Sequence, residues 1–224
     1  MKKLFMLLLL LLSIKPLTAQ EYELGADLVS RYVWRGIELA KGASIQPAFS
    51  FSYGDFSAGT WASYALSPQA AGGDEHDFWA SYSFGRFSVT MTDYYFPGGA
   101  NNDIFDFSNN GQGAHVLEAA VAFNGGEAFP LGIFFAANVY NDLDKSLYLE
   151  VSWETASGVG FVAGFARGNS AWYAVSNPGL RAINIGVSYT KELKFYEGYG
   201  VPLSGQIIFN PSLKMSYFVV GLSL

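Results

Sequence analysis

The stretch YELGADLVSRYVWRG, residues 22–36, decides the predicted fold, because its side chains alternate in character. The even positions are mostly apolar and run from Tyr22 to Trp34, whereas the odd positions carry four charges: Glu23, Asp27, Arg31 and Arg35. Successive side chains of a β-strand point to opposite faces, so the pattern predicts one strand with an apolar face and an ionic face. At roughly 3.3 Å per residue and a tilt of about 40°, its aromatic ends would lie about 30 Å apart, close to the hydrocarbon thickness of a bilayer. The stretch therefore predicts a strand of a transmembrane β-barrel with a charged lumen.

The composition favours a membrane protein over a soluble one. Half of the 224 residues are hydrophobic, 17% are aromatic and only 14% are charged, whereas soluble domains carry about 25% charged residues. The chain has no cysteine, which excludes disulfides, thiolate metal sites and a lipidated N-terminal cysteine. Its two histidines, His76 and His115, leave little room for an imidazole site, so we expect no metal ion and no cofactor.

The N-terminal segment predicts export from the cytoplasm. Lys2 and Lys3 precede an apolar run at residues 4–12, and Ala19 offers a small residue at a cleavage point. We predict that residues 1–19 are a cleaved signal peptide and that residues 20–224 form a single barrel domain. The remaining chain would carry 10 basic and 19 acidic residues, a net charge of −9, which argues against nucleic acid as a partner.

Twelve segments show alternation or apolar runs of strand length and are separated by turn residues. They are residues 22–36, 44–53, 56–66, 75–84, 87–96, 115–123, 131–140, 146–153, 159–167, 181–189, 201–209 and 215–224. An even number of strands with alternately short and long connections is typical of outer-membrane barrels, which have short periplasmic turns and longer extracellular loops. Residues 190–200 are ambiguous between turn and strand. The predicted fold is all-β, a transmembrane antiparallel β-barrel of about 12 strands. A soluble β-sandwich or lipocalin-like barrel is the alternative.

The alternation also assigns side chains to two surfaces. Aromatic residues at strand ends are candidates for the membrane belt: Tyr22, Trp34, Tyr53 and Trp153. The charged residues of the opposite face are candidates for the lumen and its selectivity: Glu23, Asp27, Arg31, Arg35, Glu75, Asp77, Glu118 and Glu150. These charges either tune solute passage or form a salt-bridge network that fills a narrow barrel. An open lumen with this acidic excess would favour cations.

Several short motifs resemble a known family. They are SRYVWRG at 30–36, QP at 46–47, WAS at 61–63, DYYFP at 93–97, NP at 210–211 and VVG at 219–221. Together they resemble the TorF-type family of porin-like bacterial outer-membrane proteins, also called the Gcw_chp family. The resemblance implies a barrel in the bacterial outer membrane and supports location more than any substrate. The chain ends in Leu224, whereas many outer-membrane proteins end in Phe or Trp.

Three functions follow as hypotheses. The first is a porin-like channel for passive passage of small solutes or ions; the second is a non-conducting structural or adhesion barrel. The third is a barrel enzyme with His76 at the outer rim, but no nucleophile motif accompanies that histidine, so we expect no enzyme and no catalytic residues. The expected partners are outer-membrane lipids, the barrel-assembly machinery and small solutes.

The long loops add two smaller interpretations. Four aspartates could bind calcium, although no complete calcium-loop pattern is present: Asp103, Asp106, Asp142 and Asp144. Trp172 and Tyr173, in the loop at 168–179, are interpreted as membrane belt or as a surface patch.

Overall fold

A computed structural model of the chain describes residues 20–66, 74–97, 103–126, 128–196 and 198–224. The predicted signal peptide, residues 1–19, lies outside the described residues. The described part contains fourteen strands: β1 (Glu21–Val29), β2 (Tyr32–Trp34), β3 (Ile37–Ala40), β4 (Ser44–Tyr53), β5 (Phe56–Ala65), β6 (Glu75–Phe84), β7 (Phe87–Tyr95), β8 (His115–Gly126), β9 (Phe129–Tyr140), β10 (Leu147–Glu154), β11 (Val159–Arg167), β12 (Leu180–Tyr196), β13 (Tyr199–Asn210) and β14 (Met215–Ser223).

Twelve of these strands form a closed antiparallel barrel in the order β1-β14-β13-β12-β11-β10-β9-β8-β7-β6-β5-β4. The predicted all-β barrel of about 12 strands is confirmed. Ala26 and Leu224 exchange two backbone hydrogen bonds at the seam where the first and last strands meet. Within the described residues, no helix is both long enough and apolar enough to cross a membrane.

The opening stretch departs from the prediction, because it is not one strand. β1 ends at Val29, and β2 and β3 form a separate two-stranded hairpin. The turn of this hairpin consists of Arg35 at φ +47° and Gly36 at φ +79°. Two successive residues with positive φ are the requirement of a type I′ hairpin turn, which favours glycine. Alternation could not reveal the break, because β2 has the same two-residue period as β1.

The ambiguous residues 190–200 belong to a long hairpin. β12 continues to Tyr196 and pairs with β13 as far as the Tyr196–Tyr199 pair. The neighbour β11 pairs with β12 only up to Tyr189, so the end of this hairpin extends past the adjacent wall. β12 also has a register shift opposite Gly164 and Phe165, where Ile183 is the extra residue between Ala182 and Asn184.

The two faces of the barrel wall differ as the alternation predicts. Many large apolar side chains on the outer face are exposed, for example Phe78, Val89, Val121, Phe135, Val151, Phe161 and Ile207. Neighbouring positions on the inner face hold buried small or polar side chains, for example Ser63, Glu118, Ala120, Ala136 and Ala166.

The connections separate the two ends of the barrel. Residues 30–43, 66–74, 96–114, 141–146, 168–179 and 211–214 join strands at one end, here named the loop end. Residues 54–55, 85–86, 127–128, 155–158 and 197–198 join them at the other, the turn end.

Candidate functional site: the lumen and its hairpin

The β2–β3 hairpin crosses the lumen at the loop end. Its turn residue Arg35 contacts side chains of β8, β9 and β10. In the barrel order, β8 and β10 are each five strands from β1, counted in opposite directions. In a ring of twelve strands these contacts lie on the wall facing the root of the hairpin. The hairpin therefore spans the barrel interior rather than covering its rim.

The bulge in β12 and the turn of the hairpin fit together. Asn210 Nδ2 donates to the carbonyl oxygen of Gly36 at 3.0 Å. A Cβ atom placed on Gly36 would lie 1.9 Å from the carbonyl oxygen of Ile183, the extra residue of the bulge. Only glycine can approach the wall this closely, since it has no Cβ and tolerates positive φ. Gly36 thus fixes where the tip docks.

Arg35 forms the central ion pair of the lumen. Its Nη1 and Nη2 donate to the two carboxylate oxygens of Glu118 at 2.6 and 2.8 Å. Nη1 also donates to the hydroxyl of Tyr173 at 2.6 Å, and the Tyr94 hydroxyl donates to Glu118 at 3.1 Å. The two charged side chains are 11% and 2% exposed. A bidentate pair this buried keeps most of its electrostatic strength, because water does not screen it.

Aromatic rings enclose the guanidinium of Arg35. Its central carbon lies 4.4 Å from the ring centre of Trp34, 4.5 Å from that of Tyr148 and 5.1 Å from that of Phe134. Trp34 itself stacks on Tyr173 with 9° between the ring planes. Cation–π contacts of this kind stabilise a desolvated arginine. The ion pair and the rings together form a packed layer across the lumen.

Two further polar clusters flank this layer. On one side, the Tyr32 hydroxyl donates to Glu75 at 2.9 Å, and Asp77 Oδ1 is buried with no hydrogen-bond partner among the described residues. On the other side, Glu150 accepts hydrogen bonds from Tyr148 and from Asn184. Of the charged residues predicted for the lumen, Arg35, Glu75 and Glu118 therefore take part in contacts between the hairpin and the wall, whereas Glu150 is bound only by neighbouring wall residues.

The remaining charged candidates are placed differently. Arg31 pairs with Glu38 inside the hairpin at 2.7 Å, with side chains 38% and 11% exposed. Glu23 and Asp27 are exposed and lie on the face of β1 opposite to Tyr22 and Leu24. Glu23 is near the turn end, whereas Asp27 is two residues from the loop-end terminus of β1. Below the hairpin, two cavities of about 210 and 410 Å³ share Val162 and Ser188 and are lined by polar and apolar side chains in similar numbers. Free space therefore remains in the lumen on the turn-end side of the hairpin. The selectivity roles of Glu23, Asp27 and Arg31 stay predictions.

The predicted belt residues fall into two groups. Tyr22, Tyr53 and Trp153 are exposed on the barrel. Trp34 is instead packed inside, against Tyr94, Trp172 and Tyr173, because the break after Val29 carries it into the lumen. The interpretation of Trp172 and Tyr173 as belt is also wrong, because loop 168–179 folds inward and places both rings against Trp34. The aromatic partners of Arg35 could not be found from sequence, because alternation does not tell a lumen tyrosine from a belt tyrosine.

Comparison with known families decides the relationship of the chain. A family model described as "Bacterial protein of unknown function (Gcw_chp)" matches residues 15–190. The chain belongs to the Gcw_chp family. The matched part of this Gcw_chp protein contains the hairpin, Glu118 and loop 168–179. No curated protein matches the chain. The family description assigns no activity, so function must be argued from the geometry.

The histidines of the Gcw_chp protein lie on the outer side of the wall. His76 packs between the rings of Tyr64 and Tyr95. The imidazole of His115 contacts the Asp93 carboxylate and the carbonyl of Ile104, and it stacks on Phe107. Residues 103–114 of the long loop therefore lie over the outside of the wall and not in the lumen. No described group of three or more His, Asp or Glu side chains has the geometry to hold a metal ion.

Asp142 organises loop 141–146 by accepting hydrogen bonds. They come from the side-chain amide of Asn138 and from the backbone N–H groups of Asp144 and Ser146, at 2.9–3.0 Å. Burial alone would raise the pKa of the Asp142 carboxyl, but these hydrogen bonds outweigh it and hold the pKa below its ordinary value. The carboxylate is therefore committed to the loop itself.

We expect NMR titration of Asp142 to give a pKa below about 3.9, the ordinary value of aspartate. Because the folded pKa is depressed, the carboxylate stabilises the loop above that ordinary value, and the contribution is lost as the pH falls through the folded pKa. Asp142→Asn should remove this part of the acid sensitivity of loop 141–146, whereas Asp55→Asn in a turn at the opposite end should not. A pKa at or above the ordinary value would contradict the assignment.

Proposed function

We propose that this Gcw_chp protein is a bacterial outer-membrane barrel that passes small solutes or ions, cations in particular, through a narrow lumen. The observation that carries the proposal is a closed barrel of twelve strands with apolar side chains outside and polar, acid-rich side chains inside. The same function is implied by the resemblance of the sequence to TorF-type porin-like proteins. The proposal includes export by the N-terminal signal, insertion by the barrel-assembly machinery and contact with outer-membrane lipids, and it assigns no catalysis.

The outer wall supports placement in a bilayer. Lipid offers no hydrogen bonds to the backbone, so a sheet can cross it only as a closed barrel. Apart from β12, the barrel strands are 8–12 residues long, which brackets the 9–11 residues that a tilted strand needs. Fractionation of cells into inner and outer membranes tests this placement, and recovery in the soluble periplasmic fraction would contradict it.

The charges of the lumen support a preference for cations. Both arginines of the hairpin already pair with acids, Arg35 with Glu118 and Arg31 with Glu38. Glu23, Asp27 and Glu150 have no cationic partner among the described residues. A low-dielectric wall around uncompensated carboxylates concentrates cations and repels anions.

Planar-bilayer recordings under a salt gradient test the channel and its selectivity. We expect small conductance steps with a cation-selective reversal potential. The triple variant Glu23→Gln, Asp27→Asn, Glu150→Gln should shift that potential toward zero, because it removes uncompensated lumen charge. Glu192→Gln is the control, since Glu192 lies on the hairpin that extends past the wall and pairs with Lys194. Equal shifts in both variants would show that the three acids do not line the path.

A non-conducting barrel is the second candidate, and the hairpin favours it. The layer around Arg35 fills the loop end of the lumen with buried side chains. Silence from well-folded protein, both in wild type and after the hairpin has been released from the wall, would favour a structural or adhesion role. Conductance that appears only after release would identify the hairpin as the barrier.

A further inference from the structure

Apart from Trp34, which belongs to the hairpin, the groups that hold Arg35 form a cage that belongs to the barrel. The carboxylate of Glu118 comes from β8, the Phe134 and Tyr148 rings from β9 and β10, and the Tyr173 hydroxyl from loop 168–179. Tyr94 on β7 donates to the same carboxylate and holds it in place. Removing the side chain of Arg35 would leave these five groups attached to their own strands and loop.

The cage matches one chemical group. Glu118 receives two parallel N–H donors from a single plane, which is the fork that guanidinium presents and a compact ammonium lacks. Tyr173 receives a third N–H bond, and the rings of Tyr148 and Phe134 lie within 4.5 and 5.1 Å of the central carbon. Burial of Glu118 at 2% exposure makes an empty cage costly, because its carboxylate would lack a counter-charge.

We propose that this cage is a binding site for guanidinium-bearing cations, filled in this state by the chain's own Arg35. Arg35 is tethered beside the cage, so it competes at a high effective concentration, and free solutes reach the cage only when Arg35 is removed or displaced. Binding itself depends only on the cage. A role for guanidinium solutes in passage additionally rests on the proposed channel.

Chemical rescue in detergent solution tests the proposal. Arg35→Ala empties the cage, and its thermal unfolding is measured with millimolar methylguanidinium, methylammonium or sodium chloride at equal ionic strength. We expect the variant to unfold at a lower temperature than wild type, and methylguanidinium alone to recover most of the loss. Adding Glu118→Gln to the variant should abolish the recovery, because the bidentate acceptor is gone.

Arg31→Ala is the matched control. It also removes an arginine of the hairpin, but its partner Glu38 belongs to the hairpin and the Arg31 side chain is 38% exposed, so methylguanidinium should not stabilise this variant. Should Arg35→Ala not refold unaided, the yield of refolded barrel in each salt becomes the readout, with the same order expected. Equal recovery by methylammonium, recovery in Arg31→Ala, or no recovery at all would overturn the proposal. These measurements need no membrane, so a silent bilayer would refute the channel and leave the cage standing.

Discussion

Glu118→Gln is expected to destabilise the barrel by about 3–5 kcal/mol, the usual cost of removing one partner of a buried ion pair. The substitution keeps the size of the side chain and removes its charge, so the guanidinium of Arg35 stays buried without a counter-ion. Urea unfolding of the purified protein in lipid vesicles, followed by the shift of tryptophan fluorescence, measures the change. The hairpin should also become sensitive to added protease, because its strongest link to the wall is lost.

The comparison that isolates burial is Glu38→Gln. Glu38 also pairs with a hairpin arginine, Arg31, at 2.7 Å, close to the 2.6 Å of the Arg35–Glu118 pair. The side chain of Arg31, however, is 38% exposed. Ion pairs with an exposed partner contribute about 0–1 kcal/mol. A Glu118→Gln variant no less stable than Glu38→Gln would show that the cross-lumen pair does not hold the hairpin.

Gly36→Ala is expected to lift the hairpin from the wall and to increase conductance several-fold in planar bilayers. The added methyl group would lie 1.9 Å from the carbonyl oxygen of Ile183 and 2.8 Å from its carbonyl carbon. Both are backbone atoms of the barrel wall, held between the paired residues Ala182 and Asn184, so we expect the tip of the hairpin to move. The hydrogen bond from Asn210 to the Gly36 carbonyl should be lost with it.

Gly54→Ala provides the control for backbone strain. Gly54 also has positive φ, +59°, but nothing lies within 4 Å of the position that its Cβ would take. Both substitutions carry the penalty of a non-glycine residue at positive φ, which destabilises by about 1 kcal/mol or more. Only Gly36→Ala adds the collision, so equal conductance in the two variants would contradict docking of the tip at Ile183.

The wall of the barrel was predictable from sequence, whereas its contents were not. Alternation along segments such as residues 75–84 and 115–123 reports which side chains lie on the apolar outer face and which on the polar inner face, and this pattern is what predicts a barrel. The hairpin was not predicted as a separate element, because residues 32–34 are themselves a strand and continue the alternation of β1. The turn signal was one glycine after an arginine, and Arg35 is an uncommon residue at positive φ.

The partners within the lumen were only partly predictable. Arg35, Glu75, Glu118 and Glu150 were assigned to one face by parity, but parity cannot say which charges meet across a barrel. That depends on contacts between residues far apart in sequence, such as Arg35 with Tyr173. Trp172 and Tyr173 were misplaced because an aromatic pair in a loop has the same composition whether it turns toward the outside of the barrel or into the lumen.

The contacts of the hairpin have a consequence for how the chain folds. Arg35 meets Glu118 after 83 residues and Tyr173 after 138, and Gly36 meets Asn210 after 174. Contacts of such high sequence separation form late, because each requires closure of a long loop. The seam between β1 and β14 joins the two ends of the barrel and is equally non-local. We therefore expect docking of the hairpin and closure of the cylinder to occur in the same kinetic phase, with the nascent wall wrapping around a segment that was synthesised first.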